Sequence, residues 1–391
     1  MCYRPSKTGI AGTLGSLVLG VILAACGGQA APSPAASSPG GNPGSSAARA
    51  SAKSSAAASP AGAPAAGSYH PIPLNPPVKL TVGLIGSTSD AGIFIGNEKG
   101  YFKDEGIELD IQRFQSLVVE VPLVGTGKLD VGTGALAAGL FNSAARDIPL
   151  KIVADKGSTP NPQFDFTALM IRKDLIDSGK VKDYKDLKGL SLATSQRANS
   201  PEVALAAALG KGGLTLNDIH YVNMGFPDMV PAFANKSIDG AIVIEPFASR
   251  IAAAGTGVRW KGNVDLVGNQ QIAVIVYSPG LLKKPDVAQR WMNAYVRGLR
   301  DYNDAFGPKK QGRDEVIKIL AKNTAVKDPK VYDQMRPAGL DPDGKLDLKS
   351  LQRDLGYYEK ANEIKGSVSL DNIVDTTYQQ KAAKALGPYK A

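Results

Sequence analysis

The sequence predicts an α/β protein of two lobes, each a mixed sheet covered by helices. Three observations predict it. Short apolar or alternating runs, separated by helical patterns, recur from Val78 onward. The run Phe166–Ile171 leaves the first set of elements, and Gln271–Tyr277 returns to it after a second set. Ahead of Val78 stands a long Ala/Ser/Gly/Pro stretch with no apolar periodicity, so the folded part starts there.

The elements follow in order. Val78–Leu84 reads as a strand, the loop Ile85–Asp90 follows, and Ala91–Phe102 reads as a helix. Gly106 breaks the chain before the alternating strand Ile107–Phe114. Leu117–Thr126 reads as helix, Leu129–Gly132 as a short strand, Ala135–Ala145 as a small-residue helix and Leu150–Ala154 as a strand. In the second set, Ser191–Ala193 is a strand. Ser200-Pro201 supplies a capping serine and a proline at the first helical position of Pro201–Gly210. His220–Asn223 is a strand, Asp228–Ala234 a helix and Gly240–Ile244 a strand. The remainder is mainly helical. In Val287–Phe306 the residues Trp291, Tyr295 and Leu299 recur at helical spacing, which fits core packing.

The N-terminus reads as an address. Arg4 and Lys7 precede an apolar core, Ile10–Leu23, too short to cross a bilayer comfortably. Leu23-Ala24-Ala25-Cys26 resembles the lipobox of bacterial lipoproteins, which implies cleavage before Cys26 and lipidation of its thiol. Residues 27–77 form a tether, and about 50 flexible residues give a reach of about 40 Å. The expected organisation is a signal peptide at 1–25, lipidated cysteine and tether at 26–77, lobe 1 at 78–173 and 274–391, and lobe 2 at 174–273. The hinges are expected near Ile171–Lys173 and Tyr277–Pro279.

Composition excludes several chemistries. The only two cysteines, Cys2 and Cys26, precede the folded part, so a disulfide, a thiolate nucleophile and a cysteine metal site are not expected there. His70 and His220 are the only histidines. His220 lies in a strand pattern, which argues against a metal cluster and weakens a hydrolase triad. No cofactor is expected. The net charge of +9 is spread among acidic residues without a basic run carrying aromatics, so no nucleic-acid partner is expected.

The run Gly100-Tyr101-Phe102-Lys103-Asp104-Glu105-Gly106-Ile107-Glu108-Leu109 resembles a segment of the nitrate/sulfonate/taurine-type substrate-binding proteins of ABC importers, a family that includes thiamine-pyrimidine binders. Asp130–Ala135 is similar to that family's D-x-G-x-G turn, and Ile238–Ala241 with Glu245-Pro246 to its VDA…WEP segment. Ile244 stands where the family commonly has an aromatic residue. The resemblance implies a type II periplasmic-binding-protein fold that closes on a small-molecule solute. It also implies delivery to a permease with its ATPase. A monomer is expected. Presentation of the solute to a receptor is an alternative, and a pyrimidine-forming enzyme of the same superfamily a lesser one.

Ligands of open α/β sheets bind beyond the carboxyl ends of strands, where helix N-termini favour anions. Three places qualify: Ser87, Thr88 and Ser89 before the first helix; Thr133, Gly134 and Ala135 at the small-residue helix; and Asn199 and Ser200 before the Pro201 helix. Phe94 fits a stacking wall or the core. Glu245 fits a ligand amine or a helix start. Asp90 and Ser200 also fit plain capping, and Gly132 and Gly134 a tight turn. The solute so implied is anionic or zwitterionic: a sulfonate, carboxylate or pyrimidine.

Overall fold

The computed structural model describes residues 69–391. The expected export signal, Cys26 and most of the expected tether lie outside the described residues. Ten strands form two five-stranded sheets. They are β1 (Val78–Leu84), β2 (Ile107–Arg113), β3 (Val131–Ala135), β4 (Lys151–Ser158), β5 (Thr167–Arg172), β6 (Ser191–Thr194), β7 (His220–Asn223), β8 (Gly240–Ile244), β9 (Gly257–Gly262) and β10 (Gln271–Tyr277).

The first sheet has the order β2-β1-β3-β10-β4 and the second β7-β6-β8-β5-β9. Each is built alike. Three strands run parallel, and the fourth is antiparallel to both its neighbours: β10 between β3 and β4, β5 between β8 and β9. In each sheet that antiparallel strand is the first after the chain has crossed from the other sheet. Both β10 and β8 are buried along their whole length, as expected of strands covered on two faces.

The crossings correct the expected boundaries. β5, expected at the end of lobe 1, instead pairs residue for residue with β8, from Thr167 opposite Ile244 to Ile171 opposite Gly240. The chain therefore crosses at 159–166 and returns at 263–270, not at 171–173 and 277–279. An apolar strand run shows that a sheet is near, but not which one. Strand β9 was not anticipated, because Gly257-Val258-Arg259-Trp260-Lys261-Gly262 mixes charge with apolar residues and lies at a sheet edge.

The Pro285–Phe306 helix packs on lobe 1, with Trp291, Tyr295 and Leu299 fully buried as expected. Trp291 stacks on Tyr295 at 5.2 Å between ring centroids. The helix meets Ala91–Glu98 so closely that a Cβ on Gly298 would lie 2.1 Å from the Gly92 carbonyl oxygen. The Leu348–Lys360 helix reaches toward lobe 2. Its Tyr357 hydroxyl donates to Glu202 at 3.3 Å, and its Asp354 accepts from Gln270 in the second crossing at 2.8 Å. Among the described residues no helix is long and apolar enough to cross a membrane.

Candidate functional site

The loop after β1 is a buried polar knot. Asp90 turns back to accept from the backbone N–H groups of Gly86 and Ser87 at 2.8 and 2.9 Å. It makes no capping bond to the Ala91–Glu98 helix, so the expected cap serves the loop instead. Ser87 and Ser89 bond hydroxyl to hydroxyl at 2.8 Å. Beneath them lies Lys156 of β4, which is 1% exposed. Its ammonium sits 2.9 Å from Asp90 and donates to Ser89 at 3.0 Å. A lysine and an aspartate this deeply buried persist only because each neutralises the other.

Thr88 faces lobe 2. Its amide and hydroxyl donate to the Glu245 carbonyl at 3.4 and 3.2 Å. The Glu245 carboxylate accepts from Ser249 N–H at 2.9 Å and from Arg336 N–H at 3.4 Å, with Arg259 3.7 Å away. Burial holds its pKa above the usual carboxylate range. In this conformation Glu245 therefore braces lobe 2 against the loop at Arg336.

Thr133, Gly134 and Ala135 correct an expectation. They lie within β3, opposite Ile275, Val274 and Ala273, and the following helix starts only at Ala138. The two glycines let β3 continue where a turn had been read. A Cβ on Gly134 (φ 153°) would meet Leu117 Cβ at 2.9 Å, so glycine is required there for close packing. The Thr133 hydroxyl donates to the Gly83 carbonyl at 2.9 Å, and its amide to Glu120 at 2.8 Å. Burial pushes Glu120 up to about 8, and its other carboxyl oxygen has no partner among the described residues.

Asn199, not Ser200, caps the Ser200–Lys211 helix, accepting from Glu202 N–H at 3.2 Å. Ser200 is the first helical residue, and its hydroxyl donates to the Ile272 carbonyl at 2.7 Å. Here the lobes touch by backbone. Ala138 N–H donates to the Ala198 carbonyl and Ser200 N–H to the Leu136 carbonyl, both at 2.9 Å. Phe94 is 1% exposed and belongs to the lobe 1 core, yet the Arg113 guanidinium lies 5.0 Å from its ring centroid.

Beside the loop lies a cleft of about 540 Å³. Lobe 1 contributes Ile85 and Gly86 beyond β1, and Arg113, Phe114 and Gln115 at the end of β2. Lobe 2 contributes Pro227 and Phe247, and the segment from Lys322 to Lys327 closes a third side. The volume suits a small organic molecule. A larger cavity, about 630 Å³, lies against the crossings and is lined by Ser158, Asn161, Phe164, Asn269, Gln271 and Asp347. It does not include the ends of β1 or β2. The structure thus keeps Ser87, Ser89 and Thr133 in bonds within lobe 1, joins Thr88 to Glu245 across the lobes, and places Asn199 and Ser200 at a second interlobe contact.

Sequence reasoning missed Arg113, Glu120 and Lys156. Two of them carried a signal: Glu120 interrupts the apolar run Leu117–Val124, and Asp155-Lys156 follows the apolar Ile152–Ala154. Charges inside such runs must find buried partners. Arg113 ends a strand, where the carboxyl-end rule could have drawn attention.

A family model described as NMT1/THI5 like matches residues 87–304, more than half of the chain. A binding protein of Brucella abortus (strain 2308) is 27% identical over 217 residues, covering 54% of this chain and 62% of that relative. A 4-amino-5-hydroxymethyl-2-methylpyrimidine phosphate synthase of Schizosaccharomyces pombe is 31% identical over 153 residues, covering 39% of this chain and 40% of the synthase. The chain therefore spans less than two thirds of these relatives. Among solved structures, the periplasmic nitrate-binding protein NrtA of Synechocystis superposes with a TM-score of 0.67 at 14% identity, over 79% of this chain and 89% of that one. The alkanesulfonate-binding protein SsuA of Xanthomonas axonopodis, bound to MOPS, gives 0.62 at 17% identity, over 77% and 99%. At such identities the likeness is one of fold: two lobes of the kind found in solute-binding proteins.

Proposed function

The chain belongs to the NMT1/THI5-like family, and from that premise we propose that it is the extracytoplasmic solute-binding component of an ABC importer. It captures a small anionic or zwitterionic organic solute between its lobes and hands it to a permease with its ATPase. It acts as a monomer, held to the membrane through a lipid on Cys26 and the tether that follows. The observation that carries this reading is the cleft at the carboxyl ends of β1 and β2, walled by both lobes. Two crossings join the lobes, so bending them opens and closes the cleft, as in other two-lobed binding proteins.

A melting-point screen of sulfonates, nitrate, carboxylates and aminopyrimidines tests the reading. Ligand at about 100 times its dissociation constant stabilises by about 2.7 kcal/mol, a rise of a few degrees. A hit of one chemical class supports capture, and the absence of any rise speaks against it. Anchoring is tested separately. Metabolic labelling with an alkyne fatty acid should tag the protein, and Cys26→Ser should abolish the tag.

A second reading, catalysis, is favoured by the synthase names among the relatives. It predicts turnover of a pyrimidine precursor that depends on His220, which is exposed on the edge strand β7. Loss of such turnover in His220→Ala would favour the enzyme over the carrier.

A further inference from the structure

We infer that Arg113 is the residue that reads the charge of the solute, and that the solute is an organic oxyanion with an apolar body. This rests on the capture reading above. The loop hydroxyls expected to bind an anion are already engaged: Ser87 with Ser89, Ser89 with Lys156, Thr88 with the Glu245 carbonyl, Thr133 with the Gly83 carbonyl. The positive charge beneath them is neutralised by Asp90. The knot therefore holds the shape of the loop and has little left to offer a ligand in this conformation.

The cleft beside it differs. Its charged lining residues are all cations: Arg113, Lys322 and Lys327. Lys322 pairs with Glu98 at 2.7 Å. Among the described residues, neither Arg113 nor Lys327 has a carboxylate within ion-pair distance. Lys327 donates to the Lys322 carbonyl at 2.7 Å.

Arg113 is also held in place. One guanidinium nitrogen donates to the Asn323 carbonyl at 2.6 Å, and the head lies over the Phe94 ring. A Cβ on Gly86 would come within 3.0 Å of Nη1, so the glycine (φ 86°) leaves room for the head against the loop backbone. A fork fixed in this way loses little freedom on meeting a carboxylate or sulfonate. The cleft also has apolar walls, formed by Ile85, Phe114, Pro227 and Phe247. They suit a flat hydrocarbon body carrying the anion at one end.

Calorimetric titration of the purified full chain tests the assignment. The probes are sodium benzenesulfonate, sodium benzoate, neutral benzenesulfonamide, sodium nitrate and 4-aminopyrimidine. One of the aryl anions should bind at least about tenfold more tightly than benzenesulfonamide. Arg113→Gln should weaken that anion by about tenfold or more and leave the neutral compound unchanged. Arg113→Lys, which keeps charge without the fork, should fall between. Arg113 is exposed, so the variants should melt with the wild type, which separates lost contact from lost fold. Anion binding indifferent to Arg113→Gln would overturn the assignment, as would preference for benzenesulfonamide or 4-aminopyrimidine. If that ligand still slowed amide exchange at the interlobe contacts, solute capture would stand without this assignment. If no probe bound, both would fall.

Discussion

Two neighbouring regions at the ends of β1 and β2 have similar polarity and opposite character. In the loop Ser87–Asp90 each named polar side chain has a partner inside the protein, and the charge of Lys156 is met by Asp90 at 2.9 Å. At the cleft mouth, a few residues away, Arg113 and Lys327 face an open space without a carboxylate. The first region is a solved structural problem. The second keeps interaction capacity unspent. Residue type alone does not separate them; partner and burial do.

The comparison predicts that substitutions in the two regions will act on different quantities. The largest effect is expected at Lys156. Lys156→Ala leaves Asp90 buried and uncompensated, which should destabilise the fold by about 3–5 kcal/mol in denaturant unfolding. Arg113→Gln should change stability by less than about 0.5 kcal/mol. Equal losses at the two positions would break the contrast.

Next in size is the loss of the cap shared with an interlobe contact. Asn199→Ala removes the bond to Glu202 N–H and should cost about 1 kcal/mol. A larger loss would show that the neighbouring backbone contacts between Leu136–Ala138 and Ala198–Ser200 collapse with it.

A pH-dependent effect is expected at Glu120. Burial pushes it up to about 8, from an ordinary value near 4.5. The folded state therefore holds its proton where the unfolded state has lost it. The stability this gives is fully present below about pH 4.5 and fades as pH rises through about 8. Asp155, pushed up to about 7, and Asp354, pushed up to about 6, act in the same direction. The melting midpoint should fall between pH 5 and 8.5, and Glu120→Gln should flatten part of that fall. An unchanged profile in the variant would show that Glu120 is ionised in the folded chain.

Much of the fold was legible because periodicity and turn residues act locally. β1, β7, β8 and β10 fall where the apolar runs placed them, and the burial of Trp291, Tyr295 and Leu299 follows from their spacing. Sheet membership was less legible, since β5 reads the same whether it closes one lobe or opens the next. At the site, the loop Ser87–Asp90 was found but its availability was not. Lys156 lies 66 residues beyond Asp90, and only folding brings the two together. Thr133–Ala135 were misplaced because two glycines in a strand look like a turn until Leu117 is seen to fill the space a side chain would need. For the same reason Arg113 was passed over: its importance comes from Gly86, Phe94 and the cleft beside it.

The central claim, that a solute is held by closure of two lobes, is tested most directly by amide hydrogen exchange at the interlobe contacts. The amides of Thr88, Ala138 and Ser200 donate to the carbonyls of Glu245, Ala198 and Leu136 across the two lobes. With the compound that raises the melting midpoint most, these three amides should exchange at least about tenfold more slowly, beyond any general gain in stability. Exchange at the three unchanged under saturation, with protection elsewhere, would contradict closure and place the ligand outside the cleft.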